Sequence, residues 1–459
     1  MGFSNIPSNV LQILKASKKS NLIFVESTKQ LVQSTQIFNP NFHFNLASNY
    51  LCTMKKVGII GGGQLGMMTI EAANKNVPAH FVVLESAKDC PAGPLTQEFI
   101  PGSLNSDANI RELALASDIL TWEIEHINVD TLIALQTEGK PVVPNPHVLK
   151  IIQNKGQQKR HYTLHNLPTA PYQILHHSQV TPQTLQEFPG ENIVVKTCTG
   201  GYDGKGVAIT TKSELLSNPP FEGEILLESF IENSLEIAII VAIDTHGNHA
   251  VYPAIEMYFN PTSNLVEFLF SPARIQPTVE EKAKKIALKA VESLNSPGLF
   301  AVELFLTPNQ LYFQSHTYHH DAHASNTDFA NTSADYLDIL VNEIAPRPHN
   351  SGHHTIEGCH TSQFEQFLRI LTDKPLGDPG LKQPAAMINI VGPTDFSGKY
   401  QLKHLQTLQN RSDVFIHMYG KSESKPNRKL GHATIIAPTL DVLLKNANEL
   451  MPLLAIEKA

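Results

Sequence analysis

The sequence predicts an α/β protein with a small α+β tail, and three observations predict it. After Met54 an apolar run, a glycine-rich turn, a helical stretch and a second apolar run make a βαβ opening, which implies a parallel sheet. A middle region then supplies many strand-sized apolar segments around one amphipathic helix. After about Asp373 the chain makes short strands and ends in a helix.

Taken in order, the first strand is Val57–Ile60, the helix Leu65–Asn74 and the second strand Phe81–Leu84. "ILTWEIEHI" (119–127) and "PVVPN" (141–145) read as further strands. A second region opens near Ile151, where "NKGQQKRHYTLHNLP" reads as a helix closed by Pro168. "NIVVK", "VAIT", "EILLESFI" and "EIAIIVAI" read as strands, and a helix over Glu280–Leu294 leads to the strand "FAVELFL". In the tail, "AAMINIV", "DVFIHMY" and "HATIIA" are the strands. The boundaries that follow are 54–150, 151–372 and 373–459.

A chain of 459 residues is too long for one ordinary core. The 41% hydrophobic and 17% charged residues are those of a globular protein, and the net charge of −8 gives no basic footprint for nucleic acid. The longest apolar runs are strand-sized, which excludes a membrane-spanning helix. Cys52, Cys90, Cys198 and Cys359 lie far apart without CxxC spacing, the pattern of reduced thiols in a cytoplasmic protein. Residues 1–53 are rich in Ser and Asn and hold no Arg, which weakens a transit-peptide reading. They read as a disordered extension or a start assigned too early.

Two glycine-rich segments carry candidate chemistry. In "GIIGGGQLG", Gly61, Gly63 and Gly66 fit G-x-G-x-x-G, and Glu85 ends the second strand where a ribose-binding acid would sit. The turn either receives a phosphate or packs helix on strand. "VVKTCTGGYDGKG" (194–206) delivers Lys196 and then Gly201, Tyr202, Asp203, Gly204, Lys205 and Gly206. Its N–H groups and two lysines suit phosphate oxygens, and the plainer reading is a hairpin turn.

Several carboxylates stand at strand ends. Glu228 and Glu236 flank a short linker and would meet a nucleotide's adenine edge and ribose, or are exposed strand-end charges. Glu303, inside "FAVELFL", and Glu343, in "ILVNEIAP", interrupt buried runs, where a carboxylate is costly unless a cation meets it. Projecting from neighbouring strands, the two would make a Mg²⁺ site; alternatively a basic residue such as Arg347 neutralises them.

"GIIGGGQLG", "DILTWEIEHI", "NLPTAPY", "VVKTCTGGYDGKG", "FAVELFL", "NEIAPRPHNSGHHT" with "SQFEQFLR", and "NRKLGH" resemble, in this order, the ATP-grasp enzymes and, within them, the N5-carboxyaminoimidazole ribonucleotide synthases. The resemblance implies an ATP-grasp fold with an N-terminal Rossmann-like pre-ATP-grasp domain and a small C-terminal α+β domain. It implies a homodimer and the ATP-dependent carboxylation of 5-aminoimidazole ribonucleotide by bicarbonate through carboxyphosphate. Lys155 and Lys196 would contact ATP phosphates, covered by the loop Gly201–Val207. Glu228, Ser229, Phe230 and Ile231 would border the adenine, and Glu236 the ribose. Glu303 and Glu343, with Asn342 alongside, would hold Mg²⁺. Arg347 would bind bicarbonate, and His349, Asn350 and His353 would orient it and the aminoimidazole. Gln64, Lys421, Arg428 and Lys429 would hold the ribotide, so no nicotinamide is implied.

Cys198, Val207, Ile243, Met257 and Phe259 depart from the family pattern. The larger departure is the forty-residue spacing from Glu303 to Glu343, where the family has a tight hairpin. The insert, about 312–338, contains His316, His319, His320, Asp321 and His323, a metal-tract composition that reads better as a polar loop. Insertion at a hairpin tip costs little closure entropy, so the acids can still converge. Two further readings use the same residues: a formate-using ribotide transformylase, and a nucleotide-binding relic without turnover.

Overall fold

The βαβ opening forms β1 (Lys56–Ile60), helix α1 (Gln64–Ala73) and β2 (His80–Glu85) in the computed structural model, which describes residues 54–73, 77–201, 206–260, 265–309 and 328–459. The N-terminal extension, Tyr202–Lys205 and the histidine tract of the insert lie outside the described residues. With β3 (Glu98–Pro101) and β4 (Ile119–Trp122) the first sheet is parallel, in the order β3-β2-β1-β4. Helices α2 (Asp107–Ala116) and α3 (Val129–Thr137) are capped by Ser106 and Asn128, whose side chains accept an N–H that the first turn leaves without an internal partner.

Two expected strands are shorter than read. The run "ILTWEIEHI" stops pairing at Trp122, and Glu123 and Glu125 turn to other partners described below. "PVVPN" is no strand: it pairs with β4 through the single bridge Leu120–Val142, because Pro141 and Pro144 have no N–H to extend the ladder.

The second region opens with helices α4 (Pro146–Ile152) and α5 (Lys155–Leu164). A four-stranded sheet follows, ordered β5 (Tyr172–His176), β8 (Glu224–Ser229), β6 (Asn192–Thr197), β7 (Val207–Thr211). A nine-stranded sheet contains β9 (Leu235–Ile243), β10 (His249–Val251), β11 (Ile255–Phe259), β12 (Val266–Ser271), β13 (Gly298–Pro308) and β14 (Leu337–Ala345). The tail adds β15 (Ala385–Val391), β17 (Val414–Met418) and β18 (Lys429–Ile436), so one sheet runs through the boundary expected at 373. The chain does not end in a helix. After the C-terminal helix (Leu440–Leu450), β19 (Ile456–Lys458) pairs with β16 (Tyr400–Leu402).

The faces of the large sheet follow from side-chain alternation. Ile237, Ile239 and Val241 of β9, with Phe300, Val302 and Leu304 of β13, pack against helix α6 (Pro277–Glu292), which buries Val279, Ala283, Ala287 and Ala290 at helical spacing. Ala238, Ile240, Leu299 and Ala301 face the other way, toward helix α7 (Gln363–Leu371) and α1. Phe364, Phe367, Leu368 and Leu371 of α7 are buried there, each side chain contributing about 1.5–3 kcal/mol of hydrophobic transfer.

Candidate active site

Alternation puts Glu303 on the face of Leu299 and Ala301, opposite α6, and Glu236 on the face of Ala238. Glu343 reaches that face by a different device. Leu337, Ile339 and Val341 of β14 all point into the α6 core, and strict alternation would send Glu343 there too. A β-bulge intervenes: Glu303 pairs with Glu343, Leu304 with Val341, and Asn342 is the extra residue. The bulge reverses the parity of the strand, so Ala345 joins the opposite core and Glu343 stands across from Glu303.

The lysines arrive from two other elements. Asn154 caps α5, and the helix starts with Lys155, whose Nζ lies 3.2 Å from Glu343 Oε2. One turn on, Lys159 is almost fully buried and contacts Glu228 Oε1 at 2.5 Å. Lys196, near the end of β6, meets the other Glu228 oxygen and donates to Asn342 Oδ1 at 3.3 Å. Gln158 locks the helix to β14: its Oε1 accepts from Ile344 N at 3.2 Å and from Tyr162 OH at 2.5 Å.

The electrostatics set the buried acids apart from one another. Burial, with Glu343 and Glu236 nearby, lifts Glu303 well above the usual carboxylate range. Lys155 holds Glu343 down to about 2 against its burial. Burial raises Glu236 to about 7. Burial also pushes Glu228 up, but Lys196 and Lys159 outweigh it and hold the group at about 2. Burial draws Lys159 down, and Lys196 adds to this. Among the described residues no cluster of three or more His, Cys, Asp or Glu side chains is arranged as a complete metal cage. Two opposed carboxylates are instead the partial set that suits Mg²⁺ shared with phosphates.

Beyond β14, Arg347 has an acid partner in the first region. Its Nη2 pairs with Glu125 Oε1 at 2.7 Å, which explains why "WEIEHI" leaves the first sheet. His349 Nε2 stands 3.9 Å from Glu303 Oε1. Two expected substrate-orienting residues are engaged elsewhere. Asn350 exchanges amide hydrogen bonds with Asn389, at 3.0 and 2.8 Å. His353 is buried between Phe364 and His432, with ring centroids 5.8 and 4.7 Å away, and burial holds it well below the ordinary histidine range.

The first glycine-rich turn is filled by the protein itself. Gly63 N and Gly66 N donate to Glu123 at 2.9 and 3.4 Å, and Gly62 N donates to Glu85 Oε2 at 3.1 Å. A phosphate or a ribose at Glu85 would have to displace these carboxylates, so the dinucleotide reading does not hold. Gln64 opens α1 beside them, half-buried. Gly201, Gly206 and Val207 are partly buried at the mouth of β6 and β7, and Ser229, Phe230 and Ile231 follow Glu228 at the end of β8. In the tail, Lys421 donates to Lys429 O at 2.7 Å and Arg428 to Glu423 O at 2.8 Å. Lys421 also lines a cleft of about 930 Å³ with Lys399, Tyr400 and Lys403.

The sequence reading missed Lys159 and Gln158. Both sit in a mostly polar helix, and only the spacing of Lys155 and Lys159 by one turn marks them.

Family models match three stretches of the chain: the ribonucleotide synthetase preATP-grasp domain over 54–153, the ATP-grasp domain over 160–323 and 329–364, and the phosphoribosylaminoimidazole carboxylase C-terminal domain over 385–446. The N5-carboxyaminoimidazole ribonucleotide synthase of Bacillus subtilis is 33% identical over 83% of this chain and 91% of its own length. The chloroplastic phosphoribosylaminoimidazole carboxylase of Vigna aconitifolia is 34% identical over 85% of this chain, which spans 65% of that relative. The crystal structure of the Thermotoga maritima N5-carboxyaminoimidazole ribonucleotide synthetase superposes with a TM-score of 0.75, at 36% identity, covering 88% of this chain and all of that one. The Aspergillus clavatus synthase, solved with ADP and 5-aminoimidazole ribonucleotide, gives 0.72 at 27% identity, covering 87% and 98%.

Proposed function

We propose a function from the premise that this chain belongs to the N5-carboxyaminoimidazole ribonucleotide synthase family of ATP-grasp enzymes. It is a ligase that uses ATP to carboxylate 5-aminoimidazole ribonucleotide with bicarbonate, in purine biosynthesis. The observation that carries this is the assembly, on one sheet face, of the opposed pair Glu303 and Glu343 with Lys155 and Lys196, beside His349 and Arg347.

In the reaction a bicarbonate oxygen attacks the γ-phosphorus of ATP, releasing ADP and leaving carboxyphosphate. This breaks down to CO₂ and phosphate; the ribotide's exocyclic amine takes the carbon, and its proton passes to the phosphate. Lys155 and Lys196 offset the phosphate charge, and Glu228, paired with Lys159 and Lys196, holds that lysine in place. The loop Gly201–Val207 covers the phosphates. Glu228, Ser229, Phe230 and Ile231 border the adenine, and Glu236, with its raised pKa, offers a donor or acceptor to the ribose. Glu303 and Glu343, with Asn342 beside them, would hold Mg²⁺, which when bound neutralises charge on the β- and γ-phosphates. The burial that lifts Glu303, reinforced by Glu343 and Glu236, suits a site that takes up a cation.

Arg347 suits bicarbonate through its planar fork, and Glu125 fixes the guanidinium. His349 orients bicarbonate and the amine from beside Glu303, while Asn350 and His353 support the loop from behind. Gln64, Lys421, Arg428 and Lys429 bind the ribotide. A homodimer in the cytoplasm completes the reading.

The test is a coupled assay of ADP, phosphate and carboxylated ribotide. ADP release that requires both bicarbonate and the aminoimidazole ribotide, and stays absent with formate in place of bicarbonate, is the expected result. Protein that ATP stabilises thermally yet releases no ADP with any acceptor would overturn it.

A further inference from the structure

Gln363, the first residue of α7, is fully buried and holds the loop after the metal strand by three hydrogen bonds. Its Oε1 accepts from His349 N at 2.9 Å, and its Nε2 donates to His349 O at 2.7 Å. These backbone partners admit one orientation of the amide, since a peptide N–H only donates and a carbonyl only accepts. The same Nε2 lies 3.3 Å from His353 Nδ1. An amide NH₂ has no lone pair to offer, so Nδ1 must be the acceptor and the imidazole proton resides on Nε2.

The surrounding loop is built to accept this side chain. A Cβ on Gly352 would lie 2.3 Å from Gln363 Oε1, so only glycine leaves room for it. Thr355 Oγ1 accepts from Gln363 N at 2.9 Å and donates back to Gly352 O at 2.5 Å. His353 has nowhere to put a charge: Lys429 and His432 approach from β18, His417 from β17, and His349 and His354 from its own segment. Phe364 of α7 covers one ring face.

Resting on the carboxylation reading above, we propose that Gln363 is a positioning residue of this reaction, fixing the His349 backbone and holding His353 as the neutral tautomer protonated on Nε2. The two histidines of one catalytic loop are thereby set by a single amide, which touches no substrate itself.

The Q363E variant tests it. The carboxylate keeps the acceptor for His349 N, loses both donors and draws a proton to His353 Nδ1. Carboxylation falls about 10- to 100-fold, as for other residues that orient a catalytic group, while the KM for ATP is unchanged. ADP release outruns carboxylated product, and a new ionisation enters the pH profile near neutrality. A fold lesion alone would leave the profile and the coupling intact in the molecules that remain folded. Wild-type rate with an unchanged pH profile overturns the proposal. Should Q363E not fold, ¹⁵N NMR of the wild-type protein decides, the His353 signals being assigned by H353Q. The Nε2–H tautomer supports the proposal; an imidazolium or an Nδ1–H tautomer overturns it. That measurement needs no turnover, so it stands apart from any failure of the carboxylation assay.

Discussion

Glu303 on β13 stands directly opposite Glu343 on β14, although forty residues separate them in the chain. Burial, with the Glu343 and Glu236 carboxylates nearby, raises Glu303 well above the usual carboxylate range. An acid whose folded pKa is raised lowers stability as pH climbs from its unfolded value to its folded one. The E303Q variant therefore melts higher than wild type at pH 8 without ligand, while ATP turnover drops at least about 100-fold. Thermal melts with and without MgATP, alongside ADP release, check both halves. A lower ligand-free melting temperature for E303Q would contradict the account.

Glu228 carries the opposite sign. It is a single carboxylate between Lys159 and Lys196, held near 2 from an ordinary 4.5. Its contribution is complete above pH 4.5 and is lost as pH falls toward about 2. E228Q removes the carboxylate that both buried ammonium groups contact and costs about 3–5 kcal/mol at pH 7. Urea denaturation measures that loss. Repeated at acid pH, it should show the gap between wild type and E228Q narrowing below pH 4.5.

Much of this arrangement was legible in the chain, because apolar runs with a misplaced acid announce themselves. Glu303 and Glu343 each interrupt a buried strand, and "VVKTCTGG" puts Lys196 where a strand ends. What could not be read was parity. Nothing in "ILVNEIAP" marks Asn342 as a bulge, and without it Glu343 would point at α6. The glycine turn misled for a related reason. Its spacing fits an external anion, whereas the anion is Glu123, sixty residues on and brought back by β4. His353 and Asn350 stand out in the sequence because polar side chains cluster there; that both are buried could not be read locally.

Arg347 and Glu125 offer a test of bicarbonate handling. Lysine keeps the charge of Arg347 but not the fork that pairs with Glu125 at 2.7 Å and that the proposed function assigns to bicarbonate. R347K lowers kcat/KM for bicarbonate about 100-fold, with the KM for ATP little changed. Initial rates at varied bicarbonate and fixed ATP read this out. A loss that appears in ATP affinity instead would move Arg347 to the nucleotide.

Gly63 decides what the first glycine turn is for. Its N–H donates to Glu123 Oε1 at 2.9 Å, and a Cβ there would come within 2.6 Å of the same oxygen. Glu123 is partly buried, and desolvation raises its pKa, with Gly63 and Gly66 N–H groups and Arg347 opposing that rise. Displacing the carboxylate removes those hydrogen bonds from a partly buried site. G63A therefore destabilises the protein by about 1–3 kcal/mol, the range for overpacking a close contact. Because Glu123 and Glu125 leave β4 together, the same substitution shifts the Glu125 partner of Arg347 and raises the KM for bicarbonate more than that for ATP. A turn meant for an external phosphate would give the reverse: stability kept, since no internal carboxylate would be displaced, and affinity lost for the phosphate-bearing ligand alone. Denaturant melts and paired KM values for bicarbonate, ATP and the ribotide separate the two outcomes.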